Sequence, residues 1–83
     1  MKLESGTREL DLHGMTCYQA KVVIDAALRR CGRSVYRLSL IHGYRSGTDL
    51  RDMIRRDYRK NPKVVRIELG LNPGVTDLVL REF

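Results

Sequence analysis

The chain has 83 residues with 16 Lys+Arg against 10 Asp+Glu, a formal charge of +6. That length supports one domain, and so small a chain buries only about 60–65% of the surface it exposes when unfolded, which excludes a cleft enclosed on all sides. A hydrophobic content of 42% with 31% charged residues excludes a disordered chain, and no apolar run approaches the roughly 18 residues of a membrane span.

Residues 1–7 are short and polar, without the apolar centre of a signal peptide. They are expected to form a flexible tail before a domain spanning 8–83, with the protein in the cytoplasm and away from membranes. From Arg8 to His13, Leu10 and Leu12 point one way and Glu9, Asp11 and His13 the other, the alternation of a half-buried strand. Gly14 breaks it. Thr16 and Gln19 form a capping box that opens a helix, and Ala20, Val23, Ile24, Ala27, Leu28 and Cys31 make its apolar stripe. Gly32 is expected to stop it.

Val35 to Ile41 predicts a second strand, with Tyr36, Leu38 and Leu40 on one face and Arg37 and Ser39 on the other. A loop from His42 through Gly47 follows. Thr48 is expected to cap a second helix, with Asp49 and Asp52 in its first turn. Leu50, Met53, Ile54 and Tyr58 form its apolar stripe, and Arg51, Arg55, Arg56, Arg59 and Lys60 surround it. Asn61-Pro62 ends it. Val64 to Leu69 predicts a third strand, Asn72-Pro73-Gly74 a turn, and Thr76 to Arg81 a fourth strand.

The order β-α-β-α-β-β implies right-handed parallel crossovers and an α/β two-layer sandwich. Two helices cover one face of a four-stranded sheet, and the other face, carrying Arg37, Arg66 and Arg81, stays wet. Cys17 and Cys31, at opposite ends of one helix, stand about 21 Å apart, too far to bridge. They read as buried apolar thiols.

Charge is unevenly placed. From Arg29 to Arg66 there are twelve Lys/Arg and three Asp/Glu, a local +9, and arginine predominates. A one-sided basic surface points to nucleic acid or another polyanion. In open sheets, ligands bind beyond the carboxyl ends of parallel strands. The first two strands end in Asp11-Leu12-His13-Gly14 and in His42-Gly43, and each leads to a helix N-terminus, which attracts anions. Asp11, His13 and His42 are therefore expected to converge on one ledge as acid–base groups. Tyr44 and Arg45 of the second loop offer a stacking ring beside a cation.

Leu10-Asp11-Leu12-His13-Gly14-Met15 resembles the L-D-L-H-G signature of the small MutS-related (Smr) domain family. Ile41-His42-Gly43, Leu50-Arg51 and Gly74-Val75-Thr76 resemble its later signatures. The resemblance implies the fold of the C-terminal domain of bacterial translation initiation factor three, with strand order 1-2-4-3 and strand four antiparallel. It also implies DNA nicking or RNA cleavage that requires Asp11 and His13, with His42 and Gly43 serving nucleic-acid binding and activity. The second loop departs from the family pattern: it is one residue longer, and Arg45 stands where the second glycine would be.

The resulting expectation is an endonuclease with Asp11, His13 and His42 catalytic, and with Gly14, Gly43, Tyr44, Arg45, Gly47, Thr48, Arg51 and Arg55 contacting DNA or RNA. The alternative is a non-catalytic nucleic-acid-binding module associated with RNA or ribosomes. An adaptor using the sheet-face arginines is a third class. Metal dependence stays open: Asp11, His13 and His42 could hold a divalent ion, but no further acid or cysteine is placed to complete a stable sphere. A protein partner or a homodimer is also left open.

Overall fold

A computed structural model describes residues 6–43 and 48–82. Its elements are β1 (Thr7–Asp11), α1 (Cys17–Arg30), β2 (Arg37–Ile41), α2 (Asp49–Asp57), β3 (Arg66–Leu69) and β4 (Val75–Val79). The sheet order is β1-β2-β4-β3, with β1 and β2 parallel and β4 antiparallel to both of its neighbours. The architecture is the α/β sandwich expected from the element order. Residues 1–5, most of the expected tail, lie outside the described residues, and Thr7 already belongs to β1. No helix among the described residues is long and apolar enough to cross a membrane.

Thr16 caps α1 through the full box: its Oγ1 accepts from the Gln19 N–H (3.1 Å), and Gln19 Oε1 accepts from the Thr16 N–H (3.0 Å). The other end differs from expectation. Gly32 is not left-handed; Cys31 turns extended (φ −66°, ψ 118°) and ends the helix. Both cysteines are free, and each is only partly buried instead of enclosed, because they sit at the two ends of α1.

The core lies between the helices and one sheet face. Leu12, Ile24, Leu38, Leu40, Ile54 and Leu78 are fully buried there, each contributing about 1.5–3 kcal/mol by leaving water. The two helices run side by side. Their starts meet where Cys17 Sγ donates to Asp49 O (3.6 Å), and the end of the shorter α2 meets the second half of α1 where the Tyr58 hydroxyl donates to Asp25 (2.6 Å). Burial, with Asp25 beside it, pushes the Tyr58 phenol above its ordinary range.

The open sheet face carries Arg37 and Arg66 as expected, but their charges are matched. Arg37 pairs with Glu68 (2.7 Å) and Asp77 (2.8 Å), and Arg66 pairs with Glu68 and Glu82. Val79 stands in register between the two arginines and is buried, shielded by their aliphatic stems. An adaptor surface built on these two cations would have to break existing ion pairs.

Candidate active site at the edge of the sheet

Parallel pairing of β1 with β2 brings their carboxyl ends to one edge. Leu12 is buried, and its N–H donates to Ile41 O (2.8 Å), which carries the pairing one residue past the strand. Side chains alternate along extended chain, so burying Leu12 turns Asp11 and His13 outward together. Asp11 Oδ1 accepts from the His13 backbone N–H (3.2 Å) and from His13 Nδ1 (2.5 Å). A carboxylate only accepts. The ring hydrogen is therefore on Nδ1, and Nε2 is the nitrogen left to exchange protons.

Both side chains stand in solvent, at 58% exposure for Asp11 and 71% for His13. The bond to His13 holds the Asp11 carboxyl below its usual range, and the same bond raises the His13 imidazole above 6.5.

Gly43 of the second loop lies beside His13. It is left-handed (φ +78°), and a Cβ placed on it would lie 3.6 Å from His13 Cβ. The space is ordinary but the backbone is not, so Gly43→Ala is expected to cost about 1–2 kcal/mol. Urea unfolding of the two proteins side by side measures this.

His42 sits differently from its expected place on the ledge. It is 5% exposed, and both ring nitrogens are engaged. Nδ1 donates to Gly43 O (2.7 Å), so Nε2 accepts from the Thr76 hydroxyl (2.9 Å). Arg55 Nε in turn donates to Thr76 Oγ1 (3.3 Å). A single directional chain thus runs from Arg55 through Thr76 and His42 to Gly43. Burial lowers the His42 pKa, outweighing the bond to Gly43, and the charges of Arg55 and Arg51 act in the same direction as burial. A proton-transfer role for His42 would require one of its two bonds to open.

The reason lies in strand parity. His42 continues the Leu38, Leu40 row toward the helices, whereas His13 continues the Glu9, Asp11 row toward water. The alternation of β2, followed two residues further, would have shown this. The three-donor metal set left open by the sequence does not assemble: among the described residues no three His, Cys, Asp or Glu side chains gather as a metal site.

Between the two helix starts runs a groove of about 360 Å³, bordered by Gly14, Thr16, Cys17, Asp49 and Leu50, with His42 in its wall. The two starts are not equivalent. α1 has no acid in its first turn, while α2 opens with Asp49 and Asp52. Thr48 occupies the cap position of α2, but its hydroxyl donates to Asp52 Oδ2 (2.9 Å) instead of accepting from the backbone. Arg51 is drawn to Asp52 (3.2 Å). An anion is therefore better placed at α1, next to His13, than at α2. Tyr44, Arg45 and Gly47 lie outside the described residues.

Two contributors carried no expected role. Gly74 O accepts from the backbone N–H groups of both His42 (2.9 Å) and Gly43 (3.0 Å), and Thr76 anchors the His42 ring. Both fall in the Gly74-Val75-Thr76 segment that carries part of the family resemblance.

The Smr domain family model matches residues 10–73. The chain belongs to the Smr domain family. The Smr domain of Thermus thermophilus MutS2 is a similar solved structure, 30% identical with a TM-score of 0.81, the match covering 90% of this chain and 99% of that one. No curated protein matches. Smr domains are nucleic-acid-binding and often nuclease-related, which agrees with an acid–base pair on an open edge of this Smr domain.

Proposed function

We propose that this Smr domain is an endonuclease that hydrolyses phosphodiester bonds in DNA or RNA. The observation that carries this reading is the solvent-facing Asp11–His13 pair at 2.5 Å, beside a helix start free of acidic residues. With Nδ1–H held by Asp11, His13 Nε2 takes the proton from an attacking water, and in its protonated form it returns one to the leaving oxygen. Asp11 orients the ring and stabilises its cation. The phosphate sits toward the α1 start, where backbone amides offset its charge.

His42 supports the site by tying Gly43 against His13. Its burial favours a second reading: with both its nitrogens committed, the domain binds nucleic acid without cutting it. The two readings separate in an assay of the purified protein on supercoiled plasmid and on structured RNA. Nicked plasmid or RNA fragments are expected. Binding to both without any product would leave only the binding module.

A further inference from the structure

Among the described residues, the basic stretch does not surround the ledge. Among the described residues there, the three carboxylates Asp11, Asp49 and Asp52 face two guanidiniums, Arg51 and Arg55, and Arg51 is already paired. The cations lie instead at the opposite end. Both helices start at the ledge, and α1, with 14 residues, extends about 21 Å away from it. There Arg30 and Arg8 border one groove, and Arg29 and Lys63 border another. Arg59 and Lys60 follow the end of α2 on the same side.

All six side chains belong to exposed residues. Among the described residues none of them is held in an ion pair, whereas Lys21, Arg37, Arg51, Arg56 and Arg66 all are. The one acid bordering these two grooves, Asp25, accepts the Tyr58 hydroxyl. Offsetting the α1 dipole accounts for Arg29 and Arg30 in its last turn. It also takes in Lys63, whose Nζ donates to Leu28 O in that turn (3.4 Å), but it does not account for Arg8 on β1.

We infer that this distal cluster is a second nucleic-acid contact, gripping the phosphate backbone about 14–21 Å from the ledge, the reach of α2 and α1. The inference rests on the nucleic-acid reading above and adds where the affinity resides. At 3.4 Å per phosphate along each strand of a duplex, the separation corresponds to about four to six base pairs between the point of cutting and the point of grip. Long substrates therefore bind through both ends of the domain, and very short ones through the ledge alone.

The test is fluorescence anisotropy on a labelled 20-base-pair DNA duplex and an RNA hairpin of similar length, across a salt series. The proteins are wild type, a triple variant with Arg29→Glu, Arg30→Glu and Arg59→Glu, and a matched triple with Lys at the same positions. The Glu triple is expected to bind at least tenfold more weakly near 0.1 M salt, with a log–log salt slope shallower by about two to three. The Lys triple is expected to stay within about twofold of wild type, since point charge suffices for a phosphate contact. Circular dichroism checks that all three are folded. Equal affinity and slope for the Glu triple and wild type would overturn the distal grip while leaving the endonuclease reading standing. Failure of wild type to bind either nucleic acid would instead remove the reading beneath it.

Discussion

Replacing His13 by Ala is expected to lower the cutting rate by about 10²–10⁴-fold, the range a positioned general acid–base group supplies. Asp11→Ala should act through the same group, because it frees the imidazole to rotate and to exchange tautomers. Both side chains are exposed, so neither change removes core packing and the fold should survive. Initial rates on plasmid and RNA, normalised to folded protein, give the answer; undiminished rates in both variants would place the chemistry elsewhere.

Asp11→Asn separates charge from shape. The wild-type His13 imidazole titrates above 6.5 because of its bond to Asp11 and the nearby charge. Removing that charge lowers the His13 midpoint toward 6.5, and the His13-linked limb of the pH–rate profile moves to lower pH with it. The chain has only two histidines, so NMR titration resolves both. One midpoint should lie above 6.5 and shift in Asp11→Asn; the other, that of buried His42, should lie below 6.5 and stay in place.

Thr76→Val is expected to cost about 1–3 kcal/mol, the penalty for leaving buried polar groups unpaired. The change preserves shape while removing the acceptor of Arg55 and the donor to His42 Nε2 together. For a domain whose whole stability is about 0.05–0.15 kcal/mol per residue, that is a large share. Thr76→Ser keeps the hydroxyl and loses one methyl group, so it should recover much of the difference. Urea unfolding at neutral pH compares the three proteins; a Val variant as stable as wild type would mean the chain from Arg55 to Gly43 does not hold the loop.

The same network makes stability depend on pH. The His42 pKa is depressed in the folded state, so its contribution is complete above 6.5 and erodes as the pH falls through the lower folded value. His13, raised in the folded state, contributes in the opposite sense: fully below 6.5, and less as the pH rises through its folded value. Because His13 and Asp11 are solvated, the His42 effect should dominate, and unfolding midpoints should fall on acidification below pH 6.5.

What the sequence determined by itself is local. Thr16 and Gln19 lie within one helical turn, so their mutual capping needs nothing from the rest of the chain. Asp11 and His13 are two residues apart on extended chain, so their shared face follows from the backbone period alone. Alternation likewise marked the strands, although pairing shifted their ends by one or two residues.

Tertiary structure decided the rest. His13-Gly14 and His42-Gly43 look alike in sequence, yet one imidazole meets water and the other is enclosed. The partner that encloses His42 is Thr76, 34 residues away, brought beside β2 by an antiparallel strand. Charge was redistributed in the same way. Helices that start at the ledge must end far from it, so the basic stretch of the chain divides between cations outside any ion pair at the far end of the domain and ion pairs such as Arg37–Asp77 and Arg56–Asp57 elsewhere. Coulomb forces depend on distance in space, and chain order does not specify that distance beyond a few residues.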